Sequence, residues 1–270
     1  MHDKDTVRVV AQNVWARFGD WPARRAVLRE GLQRAAPDLV AFVEAVKTDD
    51  YDLVEDLLGP GYEIVYESRL DRQGVGIALA SRWPIRRVTE IDLRVTDRTA
   101  NLDDATLAAE IDAPFGPLLF LAANPKWEMG YERERELQAL AAARFAEHHA
   151  REHGGHVVIA GDFDATPDAA SIRFLTGRQS LEGVSVCYRD AWASTHPDAD
   201  GHTFTPVENP LVRDGETAWD VPRRIDYVFV RCDNYGPTLD VKGCERLFDQ
   251  PRDGVFASDH FGVVADLVAR

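Results

Sequence analysis

Two aspartates directly follow an apolar run in the segment VVIAGDFDATPD, residues 157–168. The run has the length and composition of a buried strand, and Gly161 brings Asp162 and Asp164 to its end. Carboxylates at the C-terminal end of a strand can hold a divalent cation or orient a water molecule. An ordinary polar turn after a strand has the same composition, so this segment alone leaves both interpretations open.

Other polar side chains occupy the same kind of position elsewhere in the chain. They are Asn13 at the end of the first apolar strand, Glu44 near the end of the second, Asp226 at the start of a later strand, and Asp259 with His260 before the last strand. If these strands converge, several carboxylates share one cleft, which is unfavourable unless a hard divalent cation neutralises them. The pattern therefore predicts a cation-dependent site.

Eight segments resemble, in their order along the chain, the endonuclease/exonuclease/phosphatase superfamily. They are QNVW, FVEAV, GVGIALASRWPI, RERELQA, GDFDATPD, YRDAW, RRIDYVFV and SDHFGVVADL. The resemblance covers about residues 7–270, and GDFDA followed by SDH is its most specific part. It implies an α/β (α+β) fold, a four-layer α/β/β/α sandwich of two mixed β-sheets flanked by helices, in a single domain over 1–270. It also implies a phosphoesterase site at one edge of the sheets.

The resemblance implies Mg²⁺ as the cofactor, with Mn²⁺ and Ca²⁺ as alternatives. Glu44 matches the metal-binding acid, and Asp259 is a second metal ligand or a hydrogen-bond organiser. Asn13 lies close to Glu44 in this scheme and orients that carboxylate or a metal-bound water. Mg²⁺ prefers few carboxylates together with water and substrate oxygens, which suits a sparse set of this kind.

The remaining catalytic roles fall on the second half of the chain. By resemblance, Asp162 orients or deprotonates the attacking water, and His260 hydrogen-bonds the scissile phosphate while Asp226 fixes its tautomer. Asp164 departs from the family pattern, which usually has asparagine there. An asparagine amide donates a hydrogen bond, whereas an ionised aspartate only accepts, so we expect this change to modulate catalysis.

A second departure follows the strand LLFLA, where relatives carry a histidine or tyrosine that contacts the phosphate. This chain has Ala123 and Asn124 there. Asn124 or Lys126 could replace the missing donor, whose loss typically costs a factor of about 10²–10³ in rate. Three explanations stay open: a natural enzyme with an altered site, an inactivated mutant, or a degenerate homologue.

Three aromatic side chains are further candidates for lining a substrate pocket, although aromatics are more often part of a core. They are Trp127, Tyr188 and Trp192. Segment 196–222 lacks strong periodicity and precedes RRIDYVFV, so we expect it to form the loop that selects the substrate.

Hydrophobic periodicity predicts the elements that must position these side chains. Strands are expected at 7–15, 39–46, 62–68, 74–85, 105–114, 116–125, 157–160, 225–231 and 263–269. Helices are expected after Asp20 as N-cap, from about Glu132 to Glu152, and near 168–176. In the long helix the core-facing side chains are expected to be Leu137, Leu140, Ala141 and Phe145.

Composition narrows the class of protein and substrate. The chain has 270 residues, 45% of them hydrophobic, which is enough for a sizeable core. It shows no apolar run of membrane-spanning length, no basic secretory leader and three cysteines without metal-binding spacing. These features predict a cytoplasmic protein, which we expect to be monomeric. The net charge of −15 opposes binding of a long polyanion.

The leading hypothesis is therefore a Mg²⁺-dependent phosphoesterase that hydrolyses a small or lipid-like phosphoester. A DNA repair endonuclease or exonuclease is the alternative within the enzyme class. A binding protein that keeps the sandwich but has lost catalysis is the alternative outside it, and the departure at Ala123 and Asn124 is its main support.

Overall fold

Two seven-stranded β-sheets form the centre of the computed structural model, which describes residues 6–102, 105–215 and 217–269. The strands in chain order are β1 Thr6–Asn13, β2 Leu39–Thr48, β3 Tyr51–Asp52, β4 Glu63–Tyr66, β5 Val75–Ser81, β6 Ile85–Asp92, β7 Ala105–Ala113, β8 Gly116–Ala123, β9 His156–Asp162, β10 Tyr188–Asp190, β11 Asp226–Asp233, β12 Gly236–Pro237, β13 Leu239–Leu247 and β14 Gly262–Ala269.

The first sheet combines strands from both ends of the chain. Its order is β13-β14-β1-β2-β5-β4, and β3 pairs with β2. Strands β1 and β2 are parallel, whereas β1 and β14 are antiparallel, with Thr6 opposite Val268 and Ala11 opposite Val263.

The second sheet is built from one continuous part of the chain, between Ile85 and Pro237. Its order is β10-β11-β9-β8-β7-β6, and β12 pairs with β11. Strands β8 and β9 are parallel, and β9 and β11 are antiparallel, with Asp162 directly opposite Asp226. The register of this sheet therefore brings two of the predicted site residues together.

Helices flank the two sheets, most of them on the outer faces. They are α1 Trp21–Ala35, α2 Leu53–Leu58, α3 Glu132–His153, α4 Ala170–Leu175, α5 Ala191–Thr195 and α6 Pro210–Arg213, with 3₁₀ turns at Asp97–Thr99 and Met129–Tyr131. Apolar side chains of α1 and α2 pack on the first sheet, and those of α3 and α4 pack on the second. Apolar side chains from both inner faces meet between the sheets, among them Val9, Leu107, Phe120, Val158 and Val263. The predicted four-layer sandwich is confirmed.

Local sequence signals account for several element boundaries. Asp20 caps α1 by accepting a hydrogen bond from the backbone N–H of Ala23, and Pro22 occupies the first turn, as predicted. Strands β7 and β8 form an antiparallel hairpin, and β4 pairs antiparallel with β5. In the part of the chain that the structure describes, no helix combines the length and apolar character needed to cross a bilayer.

The buried face of α3 differs from the prediction. Leu140 is buried as expected, but Leu137, Ala141 and Phe145 are only partly buried. The helix buries Glu134, Arg135, Gln138 and Leu140, and its other four buried side chains are small: Ala139, Ala142, Ala143 and Ala146. These small side chains let the helix approach the sheet closely, so the larger apolar groups lie beside the contact rather than in it.

Five strands, β3, β6, β10, β12 and β13, were not predicted, and β6 and β13 are the longest of them. Both lie at sheet edges, and charged residues interrupt their alternation, as in IRRVTEID. Charged side chains are common on edge strands because they oppose pairing with a second molecule, and they obscure the apolar pattern.

Candidate active site

Eight of the twelve predicted site residues line a cleft of about 260 Å³ where the two sheets meet, and Asp226 lies 3.0 Å from one of the eight, His260. Its lining comprises Asn13, Glu44, Asn124, Trp127, Met129, Asp162, Asp164, Phe204, Thr217, Asp220, Arg223, Ile225, Asp259 and His260. Strands β1 and β2 of the first sheet and β9 and β11 of the second deliver residues to it. The side chains that the sequence separates by up to 247 positions are therefore neighbours in the fold.

Asn13, the last residue of β1, connects the two sheets through its side-chain amide. Its Nδ2 donates to Glu44 Oε1 and to Asp162 Oδ2, both at 3.1 Å. Its Oδ1 accepts from the backbone N–H of Trp15 at 2.9 Å, which fixes the orientation of the amide. Asn13 therefore positions one carboxylate from each sheet.

Glu44 lies at an irregularity in β2. The pairing with β5 shifts register between Phe42 and Ala45, and Glu44 has a positive φ of 56°. Such a bulge redirects a side chain away from the regular alternation of the strand. Burial and then the nearby charge of Asp259 raise the pKa of Glu44 to about 7. A carboxylate in this environment gains from a cation beside it.

The turn GDFD sets the position of Asp162 and Asp164. Gly161 has a φ of 145°, and a Cβ placed on it would lie 2.0 Å from the carbonyl oxygen of Ala123, so only glycine allows β8 and β9 to approach this closely. Asp162 Oδ1 accepts from the backbone N–H of Asp164 at 3.0 Å. Burial, followed by the charge of Asp226, raises the pKa of Asp162 to about 6.

His260 and Asp226 form a buried pair. Nδ1 of His260 lies 3.0 Å from Asp226 Oδ2, and Nε2 lies 3.7 Å from Asp162 Oδ2. Burial alone would lower the pKa of His260, but the carboxylates of Asp226 and Asp162 raise it well above its ordinary value. The ring is therefore held as an imidazolium, with Nε2 directed toward the cleft residue Asp162.

Thr203 fixes the start of β11 and therefore Asp226. Its Oγ1 accepts from the backbone N–H groups of Ile225 at 3.1 Å and Asp226 at 3.2 Å, and its carbonyl oxygen accepts from the N–H of Phe261 at 2.7 Å. One buried residue, through its side chain and its backbone carbonyl, thus couples the strand that carries Asp226 to the chain that carries His260.

Asp259 is held by contacts on both sides. Ser258 Oγ lies 3.2 Å from Asp259 Oδ1 and donates to the carbonyl oxygen of Asn13 at 2.8 Å. The side chain of Asn209 donates to the carbonyl oxygens of Ser258 and Asp259, both at 2.9 Å. Burial raises the pKa of Asp259.

A family model described as Endonuclease/Exonuclease/phosphatase family matches residues 10–260. The chain belongs to the endonuclease/exonuclease/phosphatase family. Members of this family are generally metal-dependent phosphoester hydrolases. No curated protein matches the chain.

Solved structures of this fold resemble the chain over nearly its whole length. Truncated TDP2 from Caenorhabditis elegans has a TM-score of 0.76 and 18% identity, covering 98% of each chain. TDP2 from D. rerio, complexed with single strand DNA product, has a TM-score of 0.71 and 18% identity, covering 97% of this chain and 98% of that one. The human Nocturnin catalytic domain with bound sulfate anion has a TM-score of 0.69 and 17% identity, covering 98% and 95%. At these identities the likeness shows a shared fold.

The donor set fits the divalent cation that the family uses. Glu44 and Asp259 offer hard oxygen ligands whose mutual repulsion a cation would relieve. A tighter group exists, because ligand atoms of Asp162, Asp226 and His260 lie within 4.8 Å of one another. In that group the imidazolium already neutralises the carboxylates and has no lone pair for a metal. Glu44 and Asp259 are therefore the residues that suit a cation.

The candidate substrate-binding residues separate into two groups. Asn124 and Trp127 line the cleft. Lys126 is next to them in sequence, but its Nζ forms an ion pair with Glu128 at 3.0 Å and it does not line the cleft.

Tyr188 and Trp192 lie outside the cleft, contrary to expectation. Tyr188 is buried, and its hydroxyl donates to Glu147 Oε1 at 3.0 Å behind the second sheet. Trp192 stacks on His196 at 4.1 Å between ring centroids and donates from Nε1 to the carbonyl oxygen of Ala199. Both residues have structural partners, which corrects their predicted role.

Segment 196–222 contributes more than the predicted substrate loop. Thr217 and Asp220 do line the cleft, but Thr203 and Asn209 are buried residues that position the catalytic groups. Phe204 and Arg223 line the cleft as well and were not predicted. The signal for Arg223 was its place directly before RIDYVFV, which sequence reasoning treated only as part of a motif.

Proposed function

We propose that the protein is a Mg²⁺-dependent hydrolase that cleaves small or lipid-like phosphoesters. The observation that carries this proposal is the convergence of residues from both sheets on one cleft. Asn13 and Glu44 come from the first sheet, Asp162 and Asp226 come from the second, and Asp259 with His260 precedes β14. Such a set can hold a cation, a water molecule and a phosphoryl group together.

Glu44 and Asp259 would hold the cation, and Asn13 would keep Glu44 in place. When bound, the cation supplies positive charge to a phosphoryl oxygen and so stabilises charge that develops during hydrolysis. Its oxygen ligands and the sparse carboxylate set are those that Mg²⁺ prefers.

Asp162 and His260 supply the proton-handling groups. Asp162, with a pKa of about 6, lies in the range suited to a general base at neutral pH and would orient the attacking water. Nε2 of His260 lies 3.7 Å from Asp162, beyond hydrogen-bond distance, so it can donate to a phosphoryl oxygen. Asp226 stabilises the positive charge of the ring throughout.

Exposed apolar side chains at the cleft support a substrate with an apolar part. Trp127 and Met129 line the cleft and are 65% and 71% exposed. Trp219 is 97% exposed and lies in a turn whose neighbours Thr217 and Asp220 line the cleft. Apolar groups exposed together beside a polar site are typical of a ligand-binding surface. An acyl or aryl group on the phosphoester would cover them.

The test is hydrolysis of an aryl phosphodiester with and without Mg²⁺. We expect Glu44→Ala and His260→Ala each to lower kcat/KM by at least about 10²-fold, because each removes a group that stabilises the transition state. Glu152→Ala and His148→Ala, at exposed positions of α3, are the matched controls and should retain wild-type rates. Unchanged turnover in either cleft variant would refute the proposal.

Loss of catalysis is the second candidate, since Ala123 and Asn124 stand where the resemblance implies a phosphate-contacting side chain. Calorimetric titration with Mg²⁺, combined with a panel of phosphoesters, separates the two. Metal binding without turnover on any substrate would favour a binding protein.

A further inference from the structure

Arg223 is a cleft residue that the proposed mechanism leaves without a role. It lies three residues before Asp226, the first residue of β11. It lines the cleft together with Asp164 and His260. Its backbone is fixed by Phe204, because the N–H of each residue donates to the carbonyl oxygen of the other, at 2.8 and 3.0 Å. The side chain therefore extends from a backbone position that two hydrogen bonds hold in place.

The guanidinium of Arg223 has one ion-pair partner and unused donors. One terminal nitrogen donates to Asp220 Oδ2, while the buried Nε has no hydrogen-bond partner among the described residues. A guanidinium carries five N–H donors in a fixed plane, so this contact uses a small part of its capacity. The side chain is 16% exposed, which makes unused donors unfavourable without a ligand.

The aromatic ring of Phe204 packs against both Arg223 and His260. The guanidinium carbon of Arg223 lies 5.4 Å from the centre of the Phe204 ring, and the ring of His260 lies 4.8 Å from the same centre. Stacking of this kind restricts the guanidinium to a plane without using its N–H groups.

The positive charge of Arg223 acts on Asp164, a carboxyl group of the cleft. Burial and the charge of Asp162 raise the pKa of Asp164, whereas the positive charges of His260 and Arg223 oppose this rise. The two cations therefore face the same carboxyl group. No other arginine or lysine among the described residues lines the cleft.

We infer that Arg223 binds the phosphoryl oxygens of the substrate in the cleft that Glu44 and Asp259 also line. This inference rests on the proposed function and adds to it an anion-binding residue. Arginine matches phosphate geometry because two parallel N–H groups can meet two oxygens. It supplies a phosphate donor in a chain that has Ala123 and Asn124 where, by resemblance, relatives carry a histidine or tyrosine.

The experiment compares Arg223→Gln, Arg223→Lys and Arg223→Ala with Arg213→Gln, which replaces an exposed arginine that forms an ion pair with its neighbour Asp214. We expect Arg223→Gln to lower kcat/KM for an aryl phosphodiester by about 10²–10³-fold, the usual effect of losing one such donor. Arg223→Lys should recover part of this loss, Arg213→Gln should have no effect, and Mg²⁺ affinity should be the same in all variants. A kcat/KM of Arg223→Gln within twofold of wild type overturns the inference while the proposed function stands.

Two further measurements exclude a loss caused by misfolding. Added guanidinium ion should restore activity to Arg223→Ala at least about tenfold, as a replacement for the missing group, and should not affect Arg213→Gln. The double variant Asp220→Asn/Arg223→Gln removes the unpaired carboxylate and should fold normally while staying impaired. Recovery of wild-type activity in the double variant would overturn the inference.

Binding of inorganic phosphate, measured by calorimetry, separates failure of this inference from failure of the proposed function. If wild type hydrolyses no phosphoester, the proposed function fails, but phosphate should still bind wild type at least about tenfold more tightly than Arg223→Gln. Equal affinities of the two proteins for phosphate would overturn the inference independently of any turnover.

Discussion

The protonation state of Asp164 decides whether its side chain can donate a hydrogen bond. Sequence reasoning expected an ionised side chain that only accepts hydrogen bonds. Burial and the Asp162 charge instead raise the pKa of Asp164 well above its ordinary value, which favours the neutral acid. A neutral carboxylic acid has one O–H donor, so it can make the contact that an asparagine amide makes. The change from the family pattern therefore preserves a donor until the pH exceeds this raised pKa.

Replacement of Asp164 by asparagine should separate this effect from the other titrating groups. The O–H donor of Asp164 is present below its pKa and is lost as the pH rises through it, whereas an asparagine amide keeps its donor. We expect the ratio of kcat/KM for Asp164→Asn to that of wild type to rise with pH, by up to about tenfold per pH unit above the pKa. Parallel pH–rate profiles of the two proteins check this, and a constant ratio would contradict it.

At the scale of elements, short irregular segments position the side chains of the candidate active site. Glu44 and Asp164 both have positive φ values, 56° and 48°, at a bulge and at a turn. Helix α1 supports another irregular segment, the chain after β1, through Arg24, which is 2% exposed and donates to the carbonyl oxygens of Val14 and Phe18. This contact fixes the chain that follows Asn13.

Arg24→Gln should therefore destabilise the protein more than a neighbouring substitution on the same helix. We expect a loss of about 2–4 kcal/mol in the free energy of unfolding, because buried carbonyl groups lose their donor. Arg25→Gln is the control, since its ion pair with Asp56 is 40% exposed on the arginine side and should contribute less than about 1 kcal/mol. Urea denaturation of both variants measures the difference, and equal losses would show that Arg24 has no special role.

The sequence predicts the strands and the acids at their ends because both signals are local. Asp162 and His260 stand beside apolar runs, and the runs reveal where each side chain lies along its strand. Arg223 and Thr203 act through contacts between segment 196–222 and the two sheets, which no local pattern encodes. Tyr188 shows the opposite error, because a core residue was predicted to line a substrate pocket. The local sequence around an aromatic residue does not distinguish these two positions.

At the scale of the whole molecule, the net charge of −15 opposes the approach of strongly anionic substrates. The acids of the cleft add to this field, and a cation there neutralises only part of it. A small phosphoester carries little charge, whereas a polynucleotide is repelled along its length.

Salt dependence tests this difference. Hydrolysis of a long single-stranded oligonucleotide, if it occurs, should stay constant or increase as the salt concentration rises, because salt screens repulsion. A protein that neutralises phosphates loses affinity by about 10³–10⁵ between 50 and 200 mM salt. The rate with an aryl phosphodiester should change less than about twofold and serves as the control. A steep fall in oligonucleotide cleavage would favour the nuclease hypothesis.

The pairing of β1 with β14 has a consequence for how the protein acquires its activity. The second sheet comes from one continuous segment, so it can form early, but the first sheet closes only when β14 reaches β1. His260 lies two residues before β14, so a ribosome must release the chain as far as residue 260 before the imidazole can meet Asp226. Nascent or truncated chains that end before His260 should therefore be inert toward phosphoesters.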